Sequence, residues 1–426
     1  MGCKRRLTGS TRRKVRLWQA EHYEFIDAEY DATISGDPAA RWVGGRILIP
    51  HVGWPYALAG AKTCIEECMR DHPKCRAITS YPIGSAPLPT RLIDCSDPDC
   101  LRIVETNSGM RGTYTALSYV WGKRSPGYRT TKANLSFYKV RIDPAILPQT
   151  ILDAIHVTRA LGISLLWIDG LCIVQDSTKD MHHELARMRD VYRHAFLTID
   201  AGSAASVSEG FLQDRQPLHK PDAFLPFICP PGAEEADRST QDAQVGMVYL
   251  VSNSPEYCTI SDTQKPIARE YTSHTVRRGW CLQERLLSTR SLIFTTETLQ
   301  LRCHTHTQNI GGAHHDGRGD LPLLPDAIFH PDSYVAHESD EWEDTHGRWK
   351  EIVEDYSGRE LSNSSDKLTA ISGLAEMFSP ILRSSYVAGL WCHDTLLHDL
   401  LWRPRYPPRP RTSGYCGPSW SWASSC

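Results

Sequence analysis

The chain has 426 residues, of which 41% are hydrophobic and 9% aromatic, enough for two or three domains with a sizeable core. The formal net charge of -3 excludes a strong global attraction to nucleic acid or anionic membranes. Fourteen cysteines are too few for a disulfide scaffold, and no apolar run approaches the roughly 18 residues of a membrane span, so composition predicts a cytoplasmic protein with reduced thiols.

Residues 1–60 are predicted to form a basic, partly disordered N-terminal region. Within them, residues 1–20 contain seven Lys or Arg and no acid, which is typical of a solvated tail. The start Met1-Gly2-Cys3 hints at acylation, but the myristoylation pattern requires Ser or Thr at the sixth position, where Arg6 stands. A disordered tail is therefore the preferred interpretation, with acylation as the alternative.

Residues 61–113 form a cysteine-containing lead-in to the first clear strand. A short helix here would carry Cys64 and Cys68 on one face, with His72 and Cys75 after it. Thiolates and imidazole suit zinc, but the spacing Cys-x3-Cys-x3-His-x2-Cys lacks the usual arrangement of two ligand pairs. The spacing therefore favours a helix with buried thiols over a metal site.

Alternating strand and helix patterns predict an α/β core that begins at residue 114. Ser177, with Asp180 three residues later, has the pattern of a capping box and predicts the start of the second helix. The alternation favours a parallel sheet. The predicted elements are strands at 114–121, 163–169 and 196–200 and helices at 149–161 and 179–195.

Four polar residues follow the second predicted strand. Ligands of parallel sheets bind beyond the carboxyl ends of the strands, so these residues are candidates for a binding edge. Ordinary loop and cap chemistry is the alternative interpretation, and Cys172 is more typical of a small buried hydrophobe than of a nucleophile. The four are Asp169, Cys172, Gln175 and Asp176.

Two less regular regions complete the chain. Residues 202–275 are predicted to be a long insertion on the α/β core, with one strand at 245–251. A histidine-rich patch after Cys303 lacks ordered spacing between two ligand pairs, so no metal site is predicted. The C-terminal region, residues 301–426, is predicted to be mainly helical and truncated at its end, with helices at 342–356, 367–378 and 387–401.

Three stretches, in this order, resemble the motifs of the heterokaryon incompatibility (HET) domain family of filamentous fungi. They are residues 114–122 (YTALSYVWG), 166–176 (LWIDGLCIVQD) and 278–284 (RGWCLQE). The resemblance runs from about residue 61 to the end and implies a HET domain over residues 114–300. The departures from the usual family residues are Gly170 for Ala, Val174 for Asn and Cys281 for Thr, and none removes a charged group.

The resemblance implies a role in nonself recognition, in which HET proteins trigger programmed cell death when incompatible hyphae fuse. HET domains are also distantly similar to Toll/interleukin receptor (TIR) domains, so the implied fold is a parallel-sheet, TIR/flavodoxin-like core with a long insertion. The segment Trp280-Cys281-Leu282-Gln283-Glu284 is similar to the TIR Trp-Cys-x-x-Glu segment, whose glutamate serves cleavage of NAD at the nicotinamide–ribose bond.

Glu284 is therefore the candidate catalytic residue, with NAD as a substrate rather than a cofactor. A carboxylate near the ribose stabilises the positive charge of an oxocarbenium-like transition state. Each assignment has a structural alternative: Glu284 pairing with Arg278 or Arg285, the tryptophans lying in the core, and Asp169 capping a turn. The candidate substrate-binding residues are Trp121, Asp169, Arg278 and Trp280, and the supporting loop residues are Ser118, Gly122, Gln175 and Asp176.

Two functions remain open at this stage. One is an incompatibility effector that hydrolyses NAD after self-association. The other is a non-catalytic association module that signals death through an incompatibility partner. No GxGxxG or GxxxxGK[ST] phosphate loop occurs in the sequence, which argues against Rossmann dehydrogenases and P-loop hydrolases.

Overall fold

The computed structural model describes residues 15–16, 27–33, 37–43, 45–78, 81–82, 84–122, 127–216, 223–229, 244–252, 273–313, 323–330, 335–337, 339–403 and 416–424. Most of the predicted basic tail, the histidines at 314 and 315 and the final residues 425–426 lie outside the described residues.

The strands of the described residues are β1 (Val15–Arg16), β2 (Asp27–Thr33), β3 (Gly45–Arg46), β4 (Ala86–Pro87), β5 (Arg91–Asp94), β6 (Arg102–Glu105), β7 (Arg111–Gly112), β8 (Thr115–Ser118), β9 (Leu165–Trp167), β10 (Leu197–Asp200), β11 (Ala223–Ile228), β12 (Val245–Ser252), β13 (Arg290–Phe294), β14 (Leu299–Cys303), β15 (Thr307–Asn309), β16 (Tyr386–Val387) and β17 (Leu390–Trp391).

Their α-helices are α1 (Pro55–Asp71), α2 (Pro73–Ile78), α3 (Leu135–Val140), α4 (Gln149–Ala160), α5 (Asp169–Cys172), α6 (Thr178–His194), α7 (Gly279–Leu287), α8 (Asp340–Ser357), α9 (Thr369–Leu382) and α10 (Leu396–Asp399). Within the described part of the chain, no helix is both long and apolar enough to span a membrane.

An eight-stranded mixed sheet with a parallel centre organises the molecule, in the order β15-β14-β13-β10-β8-β9-β5-β6. The four central strands, β13, β10, β8 and β9, run parallel to one another. The outer strands, β14 and β15 on one side and β5 and β6 on the other, are joined by antiparallel pairing. Every residue of β8, β10 and β13 is buried. Burial on both faces is expected of central parallel strands, because helices cover each side.

The parallel strands have the spatial order 2-1-3-4 when β8, β9, β10 and β13 are numbered along the chain. Helix α4 connects β8 to β9, and α6 leads back across β8 to β10. Because these crossovers proceed in opposite directions and such connections are right-handed, the two helices cover opposite faces of the sheet. The strand order reverses between β8 and β10. In open α/β sheets, ligands bind beyond the carboxyl ends of the strands at such a reversal, so the crevice expected here lies at the ends of β8 and β10.

The predicted βαβ centre is confirmed, although β8 and β9 are shorter than the apolar runs that predicted them. The predicted N-cap of α6 is confirmed, because the Ser177 side chain accepts a hydrogen bond from the Asp180 N–H at 3.4 Å. The reciprocal half of a capping box is not formed, since the Ser177 N–H donates to the Val174 carbonyl and the Asp180 carboxylate accepts the Val174 N–H. Cys172 is buried, and its sulfur accepts the Ile168 N–H, so it packs as a core residue.

Replacing Ser177 by alanine is expected to lower the free energy of unfolding by about 1 kcal/mol, because one N–H of the first turn of α6 loses its acceptor. Thr178→Ala, at the exposed neighbouring position, is the matched control and should change stability by less than about 0.5 kcal/mol. Urea unfolding followed by circular dichroism measures both. Equal losses in the two variants would show that the Ser177 cap contributes nothing.

A second sheet joins the N-terminal region to the predicted insertion. Its order is β1-β2-β12-β11, with β3 paired to β2. The predicted strand at 245–251 is confirmed as β12, but it pairs antiparallel with β2, a segment for which the sequence shows no usable periodicity. Asp37 reinforces this junction by accepting the Met247 N–H at 3.1 Å.

The C-terminal region is helical where the pattern is strongest. Helices α8 and α9 are confirmed, and Trp349 of α8 packs edge-on against Phe378 of α9. The predicted helix over 387–401 is wrong, since the chain instead forms the β16–β17 hairpin followed by the single-turn α10. The hairpin turn contains Gly389 at φ +98°, a conformation that a right-handed helix cannot include.

Candidate functional site

Polar side chains from neighbouring parallel strands lie level with one another at the carboxyl edge of the sheet. Ser118 ends β8 and is in register with Asp200, which ends β10. On the other side of β8, Ala116 is in register with Trp167 of β9, so Asp169, two residues further, reaches the level of Ser118. The sheet topology therefore gathers three polar residues from distant parts of the sequence.

Asp169 contacts a second candidate residue, Trp121. Its Oδ2 accepts the indole N–H of Trp121 at 2.9 Å, and its Oδ1 accepts the Gly170 N–H at 2.6 Å. Burial raises the pKa of Asp169, while the side chain of Tyr119 and the positive charge of Arg278 act in the opposite direction. Two of the four candidate substrate-binding residues are thus in contact.

Glu284 lies on α7, which packs against α6, α9 and the strands β8 and β10. The residue is only 6% exposed. Burial raises the pKa of Glu284 to about 7, although Ser118 and Arg278 nearby favour its ionised form. At neutral pH the carboxyl therefore exists in both protonation states.

Two polar atoms of this cluster, Glu284 Oε2 and Ser118 Oγ, are buried and have no partner of normal hydrogen-bond geometry within the described part of the chain, although the Ser118 hydroxyl lies close enough to Glu284 to favour its ionised form. The predicted alternative, a closed ion pair of Glu284 with Arg278 or Arg285, is not formed among the described residues. A buried carboxyl oxygen without a partner costs free energy. Such an atom is positioned to interact with a ligand or a bound water.

Arg278 is held beside the end of β8. Its guanidinium Nη1 donates to the Tyr119 carbonyl at 3.0 Å. Burial by itself would lower the pKa of Arg278, but Cys281, Glu284 and Asp169 raise it overall. A Cβ at the next residue, Gly279, would lie 2.7 Å from the Leu361 side chain, so any larger residue there would displace Leu361.

The remaining predicted residues lie around this cluster rather than in it. Trp280 is half-buried and lies near the Asp366 carboxyl, where it acts against the rise in pKa that burial causes there. Gln175 donates to the Asp169 carbonyl at 3.0 Å and so supports the loop. Asp176 accepts the Lys132 N–H, and Gly122 is an exposed turn residue with φ +93°.

Several residues of the cluster were not among the predicted site residues. Burial raises the pKa of Tyr119, whose hydroxyl lies 3.0 Å from that of Tyr128. Cys281 is buried against Glu284, and Asp200 accepts the Thr275 hydroxyl at 2.7 Å. One signal was available, because Asp200 ends its predicted strand as Asp169 does.

Glu284 is buried, whereas Trp121, Asp169 and Arg278 are each partly exposed. Two cavities in the structure, one beside Arg285 and His304 and one beside Tyr81, have neither Glu284 nor Trp121 in their walls. Trp121, Asp169, Arg278 and Glu284 therefore lie near one another at the carboxyl edge of the sheet, with the Glu284 carboxyl buried.

The protein contains an α/β domain with a mixed sheet whose central strands are parallel. Its candidate site is the cluster of acidic residues at the carboxyl edge of that sheet. Residues 114–284 match the family described as "Heterokaryon incompatibility protein (HET)", so the chain carries a HET domain over these residues. The matched range begins at the strand that carries Ser118 and ends at Glu284.

A similar protein is "Heterokaryon incompatibility protein 6, OR allele" of Neurospora crassa, which is 32% identical over 93 residues. The similarity covers 20% of this chain and 13% of that protein. No solved structure matches the chain.

Proposed function

We propose that the protein is an effector of heterokaryon incompatibility whose HET domain cleaves NAD at the nicotinamide–ribose bond. The observation that carries the proposal is Glu284: a buried carboxyl at the carboxyl edge of the sheet, with an unpartnered oxygen and a pKa raised by burial to about 7. Strongly perturbed acids with a specific charge environment concentrate at functional sites.

The strand order supports a TIR/flavodoxin-like core as part of this proposal. The parallel strands follow the order 2-1-3-4, which is the beginning of the flavodoxin-like order 2-1-3-4-5. Ligands of such sheets bind at the point where the order reverses. In this chain that point lies between the ends of β8 and β10, beside Ser118 and Asp200.

In the proposed reaction, the bond between nicotinamide and the ribose breaks and nicotinamide leaves as a neutral ring. Positive charge grows on the ribose and is stabilised by ionised Glu284, after which water supplies the hydroxyl of ADP-ribose and loses a proton. Trp121, which contacts Asp169, is proposed to stack on a base. Arg278 is proposed to hold the pyrophosphate through its forked donors.

Burial of Glu284 implies that substrate reaches it only after a rearrangement. We assign this step to self-association, because packing between copies can supply the free energy needed to expose this carboxyl. A protein partner that signals incompatibility belongs to the same proposal as the trigger of association.

Incubating the purified full chain with NAD over a range of protein concentrations tests the proposal through nicotinamide release. Release is expected to rise more than in proportion to protein concentration and to increase from pH 6 to 8, as Glu284 ionises. Glu284→Gln should reduce it about 100-fold or more. The matched control is Glu376→Gln, an exposed glutamate on α9, which should keep full activity.

No release at any protein concentration, or equal release from Glu284→Gln and the parent chain, would contradict NAD hydrolysis. The second candidate function, a non-catalytic association module, is favoured by the burial of Glu284 in a single copy of the chain. It predicts concentration-dependent oligomers by light scattering that survive Glu284→Gln, with no nicotinamide formed by either protein.

A further inference from the structure

Four metal-ligating side chains meet away from the acidic cluster, at the junction of the helical lead-in and the central sheet. The sulfurs of Cys68, Cys75 and Cys303 and one ring nitrogen of His72 all lie within 4.8 Å of one another. Cys68 is in the last turn of α1, His72 follows its end, Cys75 is in α2, and Cys303 ends β14.

The spacing of these atoms fits a single tetrahedral ion. His72 Nδ1 is 3.4 Å from Cys303 Sγ and 3.9 Å from Cys75 Sγ. With zinc–sulfur bonds of about 2.3 Å and zinc–nitrogen bonds of about 2.05 Å, neighbouring ligand atoms of a tetrahedron are about 3.6–3.8 Å apart. The two distances from His72 Nδ1 bracket this separation, and all four ligand atoms lie within 4.8 Å of one another, so small side-chain adjustments suffice to hold one zinc ion.

The three sulfurs are buried and have polar contacts. Cys68 and Cys75 are fully buried and Cys303 is 4% exposed. The Thr305 N–H donates to Cys303 Sγ at 3.4 Å, and the Thr305 hydroxyl lies 3.3 Å from Cys75 Sγ. Hydrogen bonds to ligand sulfurs are the supporting contacts expected around a metal.

We propose that Cys68, His72, Cys75 and Cys303 bind one structural zinc ion. Three thiolates and one imidazole select a soft, tetrahedral metal over calcium or magnesium. Because four protein ligands fill a tetrahedron, this ion holds structure and performs no catalysis. The fold, rather than local spacing, assembles the set: the fourth ligand is Cys303, not Cys64.

The ion joins segments that are far apart in the chain. His72 and Cys303 are separated by 231 residues, and α1 packs along β14. Zinc at this point ties the cysteine-containing lead-in to the antiparallel side of the central sheet. Closing so long a loop removes much conformational freedom from the unfolded chain.

A second group of possible metal ligands consists of His346, His393 and Asp399, but here a lysine already lies beside the carboxylate. The Asp399 carboxylate is 2.8 Å from Lys350 Nζ and 3.1 Å from His346 Nε2. Because its negative charge is matched by protein groups, this cluster serves as a polar contact between α8 and the C-terminal segment.

Metal analysis of the full chain, produced with added zinc and desalted under reducing conditions, tests the proposal. The parent chain is expected to contain about one zinc per molecule. Cys75→Ser and Cys303→Ser should each retain less than about a fifth of this. The matched control is Cys64→Ser, one helical turn before Cys68, which should keep the full amount because Cys64 lies outside the ligand set.

Two variants of His72 distinguish the loss of a zinc ligand from the loss of folding. His72→Ala should lose zinc, whereas His72→Cys should keep it, because four thiolates also bind zinc. In cobalt-substituted chains, the thiolate-to-cobalt charge-transfer band should be present in the parent and in Cys64→Ser and absent in Cys303→Ser. No zinc in a folded, reconstituted parent, iron in its place, or full zinc in folded Cys303→Ser would overturn the proposal.

Discussion

Replacing Arg91 by methionine is expected to lower the free energy of unfolding by about 3–5 kcal/mol, because it breaks a buried ion pair and leaves an acid unpaired. The Arg91 guanidinium lies 2.5 Å from Asp180 and 3.6 Å from Glu184, whose side chain is only 2% exposed. Its Nε also donates to the Cys172 carbonyl at 2.6 Å. The arginine therefore ties β5, α5 and α6 together.

Urea unfolding followed by tryptophan fluorescence measures the loss. The matched control is Lys139→Met, which breaks the half-exposed pair of Lys139 and Glu105 and should cost less than about 1 kcal/mol. Adding Glu184→Gln to Arg91→Met should recover part of the stability, since the unpaired negative charge is then removed. A loss of less than about 1 kcal/mol for Arg91→Met would contradict a stabilising role for this contact.

The second large effect is a pH dependence of stability that originates at Glu284. Burial raises the pKa of Glu284 from its ordinary 4.5 to about 7 in the folded chain. Below pH 4.5 the folded and unfolded states both hold the proton, so the shift has no effect. Between pH 4.5 and 7 the unfolded chain ionises first, and this residue therefore makes the folded state less stable as pH rises.

Glu284→Gln removes this penalty, because glutamine stays neutral at every pH. Relative to the parent chain, the variant should gain about 2 kcal/mol more stability at pH 8.5 than at pH 5.5, from roughly 1.4 kcal/mol per pKa unit. Unfolding of both proteins in urea at the two pH values gives the difference. Glu376→Gln, on the exposed face of α9, should show no such trend.

A stability difference between Glu284→Gln and the parent that does not change with pH would mean that the carboxyl titrates near its ordinary pKa. That outcome would remove the physical basis of the proposed role of Glu284. A clear pH trend without nicotinamide release would confirm that Glu284 is a buried acid with a raised pKa. It would contradict NAD hydrolysis and support the non-catalytic association module.

Local patterns in the sequence predicted the βαβ centre well, because strand burial and helix capping depend on neighbouring residues. The N-cap of α6 at Ser177 is one such local feature. The pattern failed at 387–401, where several apolar residues mimic a helix but the turn at Gly389 requires a positive φ. It also could not show that β2 pairs with β12, since pairing between distant strands leaves no local trace.

The sequence by itself determined which residue types stand at the strand ends, the family resemblance, and the acid at the end of the third motif. Only the tertiary structure decided that Glu284 is buried beside Ser118 with one carboxyl oxygen unpartnered among the described residues, and that Cys303 rather than Cys64 joins Cys68, His72 and Cys75. The reason is physical: a residue's type and local spacing are written along the chain. Its burial, its neighbours and therefore its pKa or ligand set arise only when remote segments pack together.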